Sequence, residues 1–355
     1  MDDIGTRTMT AGTSYGFPVS GDVADRLVPR VATFAFNQLQ LGIVIYSLAH
    51  DVALARTGLL VLSFEIAILA DCFLKVGNAR TWALVLVVAA VALFAANSYS
   101  PSVFAFVVEC LSIAFCAISL KKIRTITGAA GELKRRWRAL GYVAAGLFSP
   151  LLFVGTILLL AIIILRSPRS HDRDPYLIES FRLDTTNMPA YLCIMFHHCH
   201  YFSYAYIVPL VAIRHFALPV WSIGLAFYIG WIGYYLLARF KHRQRLIVFF
   251  GHLLASAAVA GMLNQSNFLV FFTCWFATGV GGGGIVLLRD FVINGNAAVY
   301  ERFKTWEAFG HLIGISCFLC GLWLESLDVA IFFAIFSGVA CAVMALCVGH
   351  TAARA

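Results

Sequence analysis

Apolar positions run along this chain in long blocks separated by short polar links. The blocks cover residues 31–49, 56–75, 81–98, 102–120 and 139–165. After a polar stretch at 166–188 come 190–213, 217–238, 246–263, 267–288, 305–325 and 328–348. About 20 apolar residues in a helix cross the hydrocarbon of a bilayer. Strands of a membrane barrel need only about ten and alternate polar with apolar residues, which these blocks do not. The pattern predicts an all-α polytopic membrane protein. Its parts are a polar N-terminal tail at 1–30, a helical bundle over 31–165, a central polar loop at 166–188, a six-helix bundle over 189–348 and a tail at 349–355.

The number of crossings turns on one block. As a single helix, 139–165 is about 40 Å long, more than the roughly 30 Å of hydrocarbon. Ser149-Pro150 lies inside it, and proline removes a helical hydrogen bond and breaks the helix before it. A broken pair gives twelve crossings, an unbroken span eleven. Basic residues favour the first count. They gather at 75–80, 121–138, 239–245 and 289–304, whereas links such as 99–101 and 264–266 are nearly uncharged. Lys and Arg accumulate on the cytoplasmic side of membrane proteins, and all four segments reach one side only if an even number of crossings separates 121–138 from 239–245.

Composition agrees with the pattern. Hydrophobic residues make up 61% of the chain and charged residues 12%, against about 25% charged in soluble domains. The net charge of +8 is accounted for by cytoplasmic loops and calls for no nucleic acid. The ten cysteines lie mostly inside apolar blocks, where they serve as small packing residues. The first thirty residues lack the apolar stretch of a cleavable secretion signal. The expected location is the cytoplasmic membrane, with the lipid bilayer and a small-molecule or ion substrate as partners.

Two stretches carry a family likeness. Leu69–Arg80, LADCFLKVGNAR, has an acid followed by glycine and bases at Asp71, Lys75, Gly77 and Arg80. In the second half, Tyr204–Arg245 runs from a helix end through a glycine-containing helix to a basic turn holding Arg239, Lys241, Arg243 and Arg245. With two helical bundles in parallel pseudo-repeat and 11–12 transmembrane segments, the chain resembles the major facilitator superfamily of transporters. That resemblance implies alternating access around a central cavity bordered by the first helix of each half. It also implies a gating role for Asp71, Lys75, Arg80, Arg239 and Lys241. It names no substrate.

Ionisable groups within the blocks are the candidates for chemistry, because a charge at mid-depth is costly unless it meets a cavity or a partner. Glu65 and Glu109 are each either a proton carrier or a hydrogen-bonded acid joining helices. Asn37, Gln38 and Gln40 stand in the first block, for ligand contact or helix association. In Met195–Tyr206, MFHHCHYFSYAY, the 100° helical period places Cys193, His197, His200 and Tyr204 on one stripe about 60° wide. This stripe fits a substrate or proton cavity, a transition-metal site on His197, His200 and Cys193, or a structural polar network. A metal site needs ligands from other spans. Glu307 and His311, four apart on one helical face, are secondary candidates.

Gly279 and Gly281 to Gly284 form a glycine run whose Gly279/Gly283 spacing allows close helix approach and whose weak helicity suits a hinge. It lacks the Lys-Ser/Thr of a phosphate loop, and no nucleotide or other cofactor is expected. Three functions follow: a secondary transporter of a small solute, with or without proton coupling; a transporter of a transition metal, copper-like or as a complex, built on the His/Met/Cys-rich helix; or a membrane-embedded enzyme or scaffold. The enzyme reading is disfavoured, since membrane di-iron enzymes need several histidine boxes and this chain has one cluster among ten histidines.

Overall fold

A computed structural model describes residues 23–50, 52–74, 77–98, 102–127, 131–166, 187–237, 240, 243–262, 267–293 and 296–348. Most of the N-terminal tail and the central loop, the end of the chain, and Lys75, Arg239 and Lys241 lie outside these residues. Among the described residues the regular elements are helices. The first half holds α1 (Val23–Ala49), α2 (Leu54–Asp71), α3 (Ala79–Ser98), α4 (Val103–Thr127), α5 (Gly131–Ala145) and α6 (Pro150–Arg166). The second holds α7 (Met188–Tyr204), α8 (Ile207–Arg214), α9 (Val220–Leu237), α10 (Gln244–Gly261), α11 (Phe268–Gly282), α12 (Ile285–Ile293), α13 (Ala297–Trp323) and α14 (Leu327–Cys347). Because α7 runs into α8 and α11 into α12 across two-residue interruptions, the halves have six crossings each.

The long block at 139–165 is two helices. The chain breaks at 146–149, where the Ser149 hydroxyl accepts from the Leu152 N–H at 3.2 Å and Pro150 takes the first helical position. Both are helix-start signals. The first of the two helices begins earlier than hydropathy implies: α5 recruits the basic residues 131–138 to reach 15 residues. Twelve crossings put the α2–α3, α4–α5, α9–α10 and α12–α13 links at one end of the bundle, the basic end. Eight helices, counting α11–α12 as one, are long and apolar enough to cross a membrane by length and composition. By contrast, α2 carries Arg56, Glu65 and Asp71, while α5, α6 and α7 are shorter. This is a multi-pass membrane protein.

Within the first half, α1 lies against α4, α5 and α6, and α3 against α4 and α6; within the second, α7 lies against α13 and α14, and α10 against α11 and α14. The halves meet chiefly along α2–α13 and α5–α9. Their apolar cores are shared unequally. Each half has its own cluster. The first runs the length of its helices, from Leu60, Leu93 and Phe153 to Ala79 and Ile126, and takes only Ala308 from the second half. The second, towards the basic end around Tyr191, Val248 and Phe303, takes nothing from the first. At the opposite end one cluster joins Leu41, Val44, Ile45, Leu48 and Val61 to Tyr206, Ile207, Phe227, Ile315 and Phe318. The seam is therefore closed by shared apolar burial at one end only.

The glycine run does its packing at α9 and α10. A side chain at Gly279 or Gly283 would strike the backbone carbonyl of Gly230 or Tyr234, and one at Gly281 that of Gly251. The helix is interrupted at Gly283 and Gly284.

Candidate functional site

The polar centre of the seam is built around Glu65, which is fully buried in α2. Its carboxylate accepts from Gln40 Nε2 of α1 at 3.4 Å, from the Tyr206 hydroxyl at 3.3 Å and from His311 Nδ1 of α13 at 2.9 Å. One acid is thus held by both halves. Tyr206 sits in the two-residue interruption between α7 and α8.

His311 brings further groups with it. Its Nε2 stands 4.0 Å from Glu307 Oε1, one turn earlier on α13, and His198 Nε2 of α7 stands 3.6 Å from the same oxygen. The rings of His198 and His311 are 4.7 Å apart, and Phe202 lies against His311 at 3.8 Å. Two glycines permit this closeness. Side chains at Gly310 and Gly314 would collide with the carbonyls of Met195 and Cys199 on α7, so the small-xxx-small spacing lets α13 press its backbone onto α7. His198, Glu307 and His311 offer ligand atoms that all lie within 4.8 Å of one another. Their side chains are 16%, 35% and 12% exposed, so the cluster is only partly buried, and His311 links it to Glu65 of the first half. Nearby, Gln40, Tyr142, Tyr201, Phe202, Tyr206 and Phe227 line a narrow cleft on the seam, with room for about one water molecule.

The stripe expected to face a cavity has other partners. His197 Nδ1 meets His252 Nε2 of α10 at 2.8 Å, and His252 Nδ1 donates to the Val248 carbonyl at 2.9 Å. His200 Nδ1 donates to the Ala334 carbonyl of α14 at 2.7 Å. Tyr204 stacks edge-on against His200 and Trp275, and Cys193 lies 3.5 Å from Cys341 of α14. All four residues are buried inside the second half. The helical period was right, but its interior side is turned towards α10, α11 and α14. Nor do His197, His200 and Cys193 form a metal-sized group. His198, off the stripe, is the residue that looks onto the seam.

Glu109 also separates from Glu65. It pairs with Arg56 Nη2 at 2.7 Å within the first half, and Arg56 lies over the Phe106 ring. Asn37 is buried and donates to the Thr33 carbonyl of its own helix at 2.6 Å. Of the candidate gating residues, Asp71 pairs with Lys121 and Lys122 of α4, at 3.3 and 3.0 Å, and Lys122 also donates to the Asp71 carbonyl. The acid therefore ties α2 to α4. The Arg80 backbone N–H is bound by Asn78 Oδ1. Lys75, Arg239 and Lys241 fall outside the described residues.

No protein-family model and no curated protein matches this sequence. Solved structures do. A bacterial metal transporter is similar with a TM-score of 0.63 and 13% identity, over 95% of this chain and 100% of that one. A bacterial homologue of the iron transporter ferroportin, in an outward-facing state, gives 0.61 and 15%, over 91% and 98%. The human organic anion transporter MFSD10 gives 0.58 and 14%, over 90% and 99%. The chain shares the helical fold of these solved structures, a likeness of the kind the sequence resemblance implied.

Proposed function

We propose that this protein is a secondary transporter that moves a small solute by alternating access between its two halves, with Glu65 as the acid that couples them. The unequal seam carries this reading. Shared apolar burial closes one end, separate cores leave the basic end weakly joined, and a polar cluster bound by both halves lies between. Ionisable groups at that depth are costly unless they meet a cavity or a partner, and the partners of Glu65 come from both halves. The three similar solved structures named above are those of transporters, which supports the reading without naming a solute. The basic end is taken as cytoplasmic, and the membrane as the cell membrane.

Spin labels placed across the seam test this. In a cysteine-free background, one pair replaces Ala53 and His215 at the apolar end, and the other replaces Arg80 and Tyr300 at the basic end. The expected result is two distance populations at each end that shift in opposite senses as pH is changed, with Glu65→Gln abolishing the shift. The amide keeps hydrogen-bonding capacity but loses the titratable proton. A single unchanging distance at both ends under all conditions contradicts alternating access.

A further inference from the structure

We infer that His198, Glu307 and His311 form a binding site for a divalent first-row transition-metal ion, with Glu65 as the positioning residue behind His311; this names the solute class of the transporter proposed above and rests on that reading.

The geometry is that of ligands converging on a point and not of groups bonded to each other. The separations of 3.6 and 4.0 Å from Glu307 Oε1 to the two imidazoles are too long for good hydrogen bonds. Ligands about 2.1 Å from a tetrahedral metal stand about 3.4 Å from one another, and the ligand atoms here all lie within 4.8 Å of one another, so side-chain shifts of up to about 1.4 Å close the site. The second shell is already set. Glu65 accepts from His311 Nδ1 at 2.9 Å, which fixes the ring proton there and leaves the Nε2 lone pair directed at Glu307 and His198. Metal-binding histidines are oriented by carboxylates in this way. His198 presents its Nε2 to Glu307 at 3.6 Å, while its buried Nδ1, like Nε2 of His200, has no hydrogen-bond partner among the described residues.

The donor set selects the ion. Two imidazoles and one carboxylate suit zinc, cobalt, nickel, manganese or ferrous iron better than the all-oxygen preference of calcium and magnesium. Soft copper(I) is disfavoured, because Cys193 and Cys199 are turned to Cys341 and Ser337 on α14. Three protein ligands leave positions for water, as expected where an ion must enter and leave. The nearby cation Arg289 is paired with Asp290 at 3.0 Å, which weakens its opposition to a bound dication.

The test uses the tag-free full-length protein in detergent, stripped with chelator and titrated with Co²⁺ while its visible absorption is followed. The expected result is one Co²⁺ per chain, displaced by Zn²⁺, with X-ray absorption showing imidazole nitrogen and carboxylate oxygen. His198→Asn and Glu307→Gln should each weaken binding by at least about tenfold, and Glu65→Gln by about 10–100-fold through His311. His197→Asn should leave the affinity unchanged. Size-exclusion elution reports whether each variant is folded, and the absorption spectrum of the unmutated protein decides the matter should one fail. Absence of stoichiometric Co²⁺ binding, or binding indifferent to His198→Asn and Glu307→Gln, overturns the inference. The spin-label distances are independent of metal, so seam motion without Co²⁺ binding sinks this site alone. Conversely, Co²⁺ binding to a rigid seam sinks the transport reading.

Discussion

One helix, α7, carries two sets of histidines whose surroundings differ in every respect that matters for function. His197 and His200 look into the second half, where His252 and the Ala334 carbonyl take up their ring nitrogens. His198 looks onto the seam, where its neighbours are a half-buried glutamate, a second histidine and, behind that, a buried acid held by both halves. Adjacent residues on a helix differ by 100°, and that rotation separates histidines bonded within one half from a histidine that meets an acid and a second imidazole at the seam. A histidine inside a membrane is informative only through what its second nitrogen meets.

The contact between α7 and α13 is the most sensitive place to break this contrast. Gly310→Leu drives a side chain into the Met195 carbonyl, and overpacking of this kind costs about 1–3 kcal/mol. The expected outcome is a lowered melting temperature in detergent together with loss of Co²⁺ binding, because His311 moves away from His198. Retained Co²⁺ affinity in a folded Gly310→Leu protein would show that the close approach does not build the site.

A smaller effect is expected on the interior face. His252→Ala leaves His197 Nδ1 without its buried partner, a loss of about 1–2 kcal/mol. Stability measured by thermal unfolding should fall while Co²⁺ affinity and the pH response of the seam stay as they were. A His252→Ala protein of normal stability but impaired Co²⁺ binding would reverse the roles assigned to the two faces.

Much of this architecture is legible in the sequence, because hydropathy blocks of bilayer length and basic links at alternate turns are direct consequences of burial in lipid. The start of α5 is not, since hydropathy marks the hydrocarbon and says nothing of a basic helical turn standing outside it. The site divides in the same way. Glu65, Glu307 and His311 stand out as ionisable groups within apolar blocks, and the four-residue spacing puts Glu307 and His311 on one face. Which side of α7 meets them depends on helix rotation, a property of the tertiary fold that periodicity leaves undetermined. Gly310 and Gly314 held the clue. Their spacing marks the face of α13 that approaches another helix, and His311 sits beside it. Glu65 and Glu109 could not be told apart by depth alone; Arg56 makes the difference, and it lies 53 residues from Glu109 in the chain.

Labelling at neighbouring positions tests the contrast most directly. In a cysteine-free background, His197→Cys and His198→Cys differ by one residue and nothing else in helix, depth or flanking sequence. A membrane-impermeant thiol reagent applied from the basic end should modify the cysteine at 198, which lies at the seam, and leave the one at 197 unmodified within the second half. Modification at 197 with protection at 198 would place the seam on the other face of α7 and contradict the account.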